Sequence, residues 1–140
     1  MSANRQRGFT LVELMITVAI VAILASIALP SYRAYVMRSR VPVALDALSS
    51  YSARMEQTYQ DTGSYGAVNC TPTLPSANNF TITCSIGGAG QTYLATATGT
   101  GTMAGYAYSI TNAGVRATTA HPNGTNAACW SLKGGACDSN

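Results

Sequence analysis

Two sets of residues in this 140-residue chain are placed to do chemistry. Glu13 stands directly before the apolar run Leu14 to Leu29, and four cysteines, Cys70, Cys84, Cys129 and Cys137, all lie beyond that run. A charge at mid-helix in a bilayer costs about 2.5–3.5 kcal/mol and less near an end, so a carboxylate here implies a partner for its charge. Just upstream, Arg5 and Arg7 are followed by Gly8-Phe9, a residue without a side chain set against the first apolar one. The cysteines are even in number, which suits oxidative pairing in an oxidising compartment. They make a poor metal set, because the spacings 70/84 and 129/137 lack the close pairs of zinc sites and the lone His121 stands apart. No catalytic group is assembled either. His121 adjoins Pro122 with no nucleophile motif beside it, and reads as a surface residue. Asp46, Glu56 and Asp61 do not pair for acid–base work, and Gly87-Gly88-Ala89-Gly90 opens no helix that would cradle a phosphate. The reading is a non-enzyme without catalytic, cofactor-binding or metal-ligating residues and without a cofactor.

The element that must hold Glu13 is a helix. Phe9 to Leu29 spans 21 residues, about 31 Å at 1.5 Å per residue, close to the roughly 30 Å thickness of bilayer hydrocarbon. A secretory signal, with Arg5 and Arg7 as its basic region and Ser26-Ile27-Ala28 as its cleavage site, is a competing reading. Signal cores run about 7–15 apolar residues and do not open on a glutamate. A simple membrane anchor explains the length but neither Gly8-Phe9 nor Glu13. Arg5 and Arg7 on one side are balanced by Arg33, Arg38 and Arg40 on the other, so the positive-inside rule does not set the orientation. The cysteines place the C-terminal part outside the inner membrane.

Beyond Leu29 the helix is expected to continue to about Gln60, with Pro30 and Pro42 each losing a backbone donor and bending or breaking it. Val41, Leu45, Leu48, Ser52, Met55 and Tyr59 recur at alternating spacings of four and three, a stripe that faces a sheet. Asp61-Thr62-Gly63 stops the helix. A connecting loop, 64–79, carries Cys70 as its tether. Four strands follow, 80–85, 92–98, 106–111 and 115–118, rich in Thr, Tyr and Ile and separated by glycine-rich turns. With no helix between them they form an antiparallel meander. The fold class is α+β: a long N-terminal helix, half transmembrane and half amphipathic, on a four-stranded antiparallel sheet with a disulfide-bounded C-terminal segment. The expected divisions are a leader at 1–8, a hydrophobic helix at 9–30, an amphipathic helix at 31–60 and a two-disulfide sheet domain at 61–140. Four cysteines allow three pairings and sequence does not choose among them. The two that close local loops, Cys70 with Cys84 and Cys129 with Cys137, are favoured. Chain entropy assigns them about 3 and roughly 2.6 kcal/mol, a common supplement for a domain this small.

Arg7 to Pro30, with Gly8-Phe9 and a glutamate five residues into the new chain, closely resembles the prepilin signature shared by type IV pilins and type II secretion pseudopilins. Cys129-Trp130 and Cys137 resemble the disulfide-bounded C-terminal segment of many pilins, minor pilins among them. The resemblance implies that a membrane aspartyl prepilin peptidase cuts after Gly8 and methylates the new amine of Phe9. It implies that Glu13 then meets the Phe9 amine of a neighbour during assembly. Two unit charges about 4 Å apart attract by roughly 4 kcal/mol at an effective dielectric near 20, against a desolvation cost of similar size. Such a pair sets register more than it adds stability. The implied partners are identical or mixed pilin subunits, the peptidase and the inner-membrane assembly machinery. The implied location is the inner membrane, with the globular domain periplasmic, and then the extracellular pilus.

Composition separates the remaining functions. Charged residues are 9% of the chain, against about 25% in ordinary domains. Removing Arg5 and Arg7 with the leader lowers the net charge from +3 to +1, so nothing draws the whole chain to nucleic acid. A structural pilus subunit serving adhesion, twitching motility or DNA uptake is therefore the first reading. A DNA-binding competence minor pilin is the alternative, and it has only Arg54, Arg116 and Lys133 as outer cations. Tyr93, Tyr106 and Tyr108 read as core or filament-contact residues rather than stacking platforms. A type II secretion pseudopilin is the variant disfavoured by the paired cysteines.

Overall fold

A computed structural model describes residues 8–138; Met1 to Arg7 of the expected leader, including Arg5 and Arg7, lie outside the described residues. The chain divides into two compact units, one ending at Val36 and the other beginning at Met37.

The first unit contains the N-terminal part of helix α1 (Leu11–Thr62). The bounds are those expected to within two residues. At the entry, the sequence Thr10-x-x-Glu13 forms a reciprocal capping box. The Glu13 amide donates to Thr10 Oγ1 (3.2 Å), while Thr10 N and Oγ1 both donate to Glu13 Oε2 (3.2 and 3.1 Å), which satisfies amides a helix start leaves open. Thr17 and Ser26, the polar residues of the apolar stretch, donate to the carbonyls of Leu14 and Ile23, so neither hydroxyl is left unpaired in hydrocarbon. The helix is not broken at Pro30 or Pro42, contrary to the stronger form of the expectation. A proline forfeits one hydrogen bond and crowds the preceding turn, and the bonds of the flanking turns keep the helical path.

In the second unit the C-terminal part of α1 lies on a sheet of order β1-β2-β3-β4, with β1 (Phe80–Gly87), β2 (Thr92–Gly99), β3 (Ala107–Thr111) and β4 (Arg116–Ala120). Every pairing is antiparallel. This is the expected meander, with β1 two residues longer and β4 moved one to two residues downstream. The buried stripe of α1 is Val41, Ala44, Leu48, Tyr51 and Met55. Leu45, Ser52 and Tyr59 from the expected stripe are only half-buried, so the face is rotated toward Ala44 and Tyr51. Ala44 lets the sheet approach closely. Tyr51 is fully buried because its hydroxyl reaches the Pro72 carbonyl at 3.2 Å, which removes the penalty for its polar end. Phe80 and Ile82 of β1, Tyr93, Ala95 and Ala97 of β2, and Tyr108 and Ile110 of β3 complete the core. Met103, from a glycine-rich connection, is also wholly buried in it.

Cys70 is bonded to Cys84, tying the 64–79 loop to β1, and Cys129 is bonded to Cys137. The loop is further held by Tyr65, whose hydroxyl donates to Glu56 at 2.9 Å, and by Arg54, which donates to the Thr73 carbonyl.

One glycine is under steric rather than conformational control. A Cβ on Gly99 would lie 1.9 Å from the Met103 carbonyl oxygen, a backbone atom that cannot swing away. Gly99→Ala is expected to lower stability by about 1–3 kcal/mol, as overpacking does. Denaturant melts should show a lower midpoint with an unchanged slope.

The buried phenols set an alkaline limit. Burial, followed by the hydrogen bond to Glu56, pushes Tyr65 up to about 12. Burial likewise raises Tyr51, Tyr93 and Tyr108 above the ordinary 10.0. Their protons are bound more tightly in the fold than in the unfolded chain. This stabilising contribution is complete below pH 10.0 and is lost as pH rises through about 12. The share of phenolate absorbance that belongs to these four buried tyrosines should therefore appear together with loss of circular dichroism, not before it.

Candidate assembly helix and C-terminal groove

The candidate site of the first unit is the surface of α1 itself. None of its most apolar window is buried. Leu11, Leu14, Met15, Val18, Ala19 and Ala22 line one shallow, wholly apolar strip, at the spacings that align residues along one helix face. Phe9 is 85% exposed. Gly8 is also exposed, and a Cβ there would meet nothing within 4 Å, so the Gly8-Phe9 bond stands clear of the fold. Glu13 is the only charged residue from Leu11 to Leu29. Its carboxylate is engaged by its own helix start through Thr10, a role that the Thr-x-x-Glu spacing announces.

A second candidate surface lies at the C-terminal end of the outer unit. Leu45, Val115, Arg116, Trp130, Leu132 and Asp138 help to line a groove. The Arg116 guanidinium sits 4.7 Å from the centre of the Trp130 ring, and the indole N–H donates to the Ser109 carbonyl at 2.8 Å. Strand β4 is joined to this segment through Thr118, which exchanges backbone bonds with Asn126 (2.7 and 3.0 Å) and donates its hydroxyl to the Cys129 carbonyl. His121 is not the free surface residue expected. Its Nδ1 accepts from the Asn123 amide at 3.0 Å, its Nε2 faces the Leu132 carbonyl, and its ring packs edge-on to Tyr106. Gly134 makes this possible, since a Cβ there would lie 2.2 Å from His121 Nδ1. The histidine is thus a brace for the C-terminal segment.

Of the aromatic residues weighed for stacking, Tyr93 and Tyr108 are buried and Tyr106 is packed on His121. Of the three outer cations, Arg54 is held by Thr73 and by the Tyr51 ring at 5.8 Å. The structure brings Arg116 together with Trp130, a pairing that nearest-neighbour spacing does not reveal.

Residues 30–107 match the family described as type IV minor pilin ComP, DNA uptake sequence receptor. The chain belongs to this minor pilin family. Residues 3–29 match the prokaryotic N-terminal methylation motif. Fimbrial protein EcpC of Eikenella corrodens is 40% identical over 74 residues, 53% of this chain and 48% of that protein. A probable minor fimbrial protein of Dichelobacter nodosus is 41% identical over 78 residues, 54% of this chain and 49% of that one. The pilin thus spans about half the length of these curated relatives. A solved type IV pilin from Shewanella oneidensis is 20% identical, with a TM-score of 0.47 over 63% of this chain and 90% of that one.

Proposed function

We propose that this pilin is a structural subunit of a type IV pilus whose helix is first stored in the inner membrane, with the outer domain periplasmic. The observation that carries this reading is the wholly exposed apolar surface from Leu11 onward, opened by Glu13. Such a surface needs either lipid or other helices, and a filament core of identical or mixed pilin helices supplies the second cover. In this reading the prepilin peptidase cuts after Gly8 and methylates Phe9, the assembly machinery lifts the helix from lipid, and Glu13 meets the neighbour's Phe9 amine. Intact mass of sheared surface filaments tests it. The expected chain begins at N-methylated Phe9, and a chain beginning at Leu29 would return the segment to a cleaved secretory signal.

A second reading, DNA capture during uptake, is favoured by the family's description and by Arg116 lying over Trp130. A guanidinium held over the indole ring is a fixed cation whose N–H groups suit a phosphate of the backbone. One such site is weak, and a filament carrying many copies would multiply it. Arg116→Gln filaments should then retain less duplex DNA, with a shallower dependence of binding on salt.

A further inference from the structure

His121 follows β4 directly and stands where the 121–126 loop, the C-terminal segment and Tyr106 meet. Among the described residues its ring bonds only with main-chain groups. Nδ1 accepts from the Asn123 amide at 3.0 Å, and Nε2 lies 3.4 Å from the Leu132 carbonyl oxygen. These partners select one form of the imidazole. An amide N–H needs a bare ring nitrogen and a carbonyl needs one that bears hydrogen, so the ring is neutral with its proton on Nε2. A charged ring carries hydrogen on both nitrogens. Its Nδ1–H would meet the Asn123 N–H, donor against donor, and the amide would lose its acceptor. The ring has little room to turn aside, because the backbone at Gly134 runs so close that a Cβ there would lie 2.2 Å from Nδ1. No carboxylate bonds to the ring to hold a positive charge in place. Of the titratable groups on the elements around it, Tyr106 presents its ring and Lys133 is exposed. Asp138 accepts from the Leu132 amide at 2.6 Å, and Arg116 lies over Trp130.

The junction that the ring holds is otherwise thin. Asn123 Nδ2 donates to the Lys133 carbonyl at 3.0 Å, Asn126 Nδ2 to the Gly135 carbonyl at 2.7 Å, and the Gly135 amide to the Gly124 carbonyl at 2.9 Å. Asn123 and Gly124 are exposed, so water competes for these bonds once the ring leaves. The inner side of the segment is fixed independently. The Ser131 amide donates to Thr118 Oγ1 at 2.8 Å and the Tyr108 hydroxyl to the Ser131 carbonyl at 3.2 Å, both buried, and the Cys129–Cys137 bond keeps the segment in a closed loop. We infer that His121 is an acid-operated latch: gaining a proton releases the 121–126 loop from residues 132–135 and opens this end of the outer unit while its core stays folded. The sign follows from the bonds. The closed junction requires the neutral ring and the open one accepts either form. Closure is therefore favoured at higher pH and lost as pH falls through the range of about 8 to 5 in which histidines change charge. Leu132 also lines the groove that carries Arg116 and Trp130, so opening loosens one of its walls. The latch stands apart from either function proposed above; control over what the groove binds rests on the DNA-capture reading.

Amide hydrogen exchange, corrected for intrinsic rates and followed by NMR on the full chain in neutral detergent micelles, tests the latch. Protection of the Asn123 and Gly135 amides should fall about tenfold or more between about pH 7.5 and 5, reversibly and with both disulfides intact. The Thr118 and Ser131 amides should keep theirs. His121→Asn supplies an oxygen that accepts the amide two residues on, as asparagine does in turns, and takes no proton. Its protection should be the same at both pH values. Asp138→Asn and Lys133→Gln should respond as wild type does. Ring ¹⁵N shifts of His121 in the wild type provide a measurement that needs no variant, and should report hydrogen on Nε2 at the higher pH. Hydrogen on Nδ1 there would overturn the inference, as would equal wild-type protection at the two pH values. So would a fall that persists in His121→Asn, vanishes in Asp138→Asn, or spreads to Thr118 and Ser131. The readout involves neither filament nor DNA. An acid response as expected, together with unaltered DNA retention by Arg116→Gln filaments, would support the latch and count against the DNA-capture reading alone.

Discussion

Gly8→Val should reach the membrane, fold its outer domain and remain uncut. The fold itself does not oppose the substitution, because a Cβ at Gly8 meets nothing within 4 Å among the described residues. In the processing proposed above, any effect then belongs to the peptidase rather than to stability. If Gly8-Phe9 is the bond that is cut, a branched side chain next to it should crowd a site that accepts a residue without one. The expected result is all-or-none: intact mass should retain Met1 to the substituted position, and no subunit should appear in sheared filaments. Non-reducing maps should still show Cys70 with Cys84 and Cys129 with Cys137. A variant matured normally at Phe9 would mean that side-chain size at position 8 is not what the peptidase reads. If the variant instead assembled uncut, the free Phe9 amine would be irrelevant to assembly and the pairing argument for Glu13 would fall with it.

What the sequence disclosed and what it concealed follow from the range of the interactions involved. The span of α1 is legible because hydrophobic length and helical period are local properties, and the meander because turn glycines and β-branched residues punctuate it at short range. The rotation of the buried stripe toward Tyr51 is not local. It depends on the Pro72 carbonyl, 21 positions away, being there to take the hydroxyl. Met103 sits in a stretch of Gly, Thr and Ala that reads as a connector, yet the turn at Gly101–Met103 drives it fully into the core. His121 likewise reads as a loop residue until Gly134, 13 positions on, opens the space that its ring fills. The meeting of Arg116 and Trp130 needs the C-terminal segment to fold back beside β4, which no periodicity encodes. One feature was local and still overlooked. Thr10-x-x-Glu13 before an apolar run is the written form of a capping box, and the need of a carboxylate beside hydrocarbon for a counter-charge masks it.

That double role makes Glu13 the position where the largest loss of assembly is expected and where one substitution is not enough. In the pilin the carboxylate accepts both the amide and the hydroxyl of Thr10; in the proposed filament it faces the neighbour's Phe9 amine. Glu13→Ala removes both functions. Glu13→Gln keeps an acceptor at a position where glutamine also completes the capping box, and removes only the charge. Thr10→Ala does the reverse, weakening the cap at a cost of about 0.5–2 kcal/mol while leaving the charge. Deleting one member of a buried ion pair costs about 3–5 kcal/mol, because the other charge is left unpaired. At 1.4 kcal/mol per decade this is roughly a hundredfold or greater loss of incorporation. Membrane residence should if anything improve, since the insertion cost of the carboxylate is gone. Tagged wild-type and variant copies, co-expressed and compared between membranes and sheared filaments, measure the difference directly. Both Glu13 variants should be abundant in membranes and nearly absent from filaments, with Thr10→Ala close to wild type. If Glu13→Gln enters filaments at its membrane ratio while Glu13→Ala does not, the charge has no partner there. Capping the helix would then be the whole task of Glu13, and the register of the filament would have to be set by the apolar strip of Leu11, Met15 and Val18.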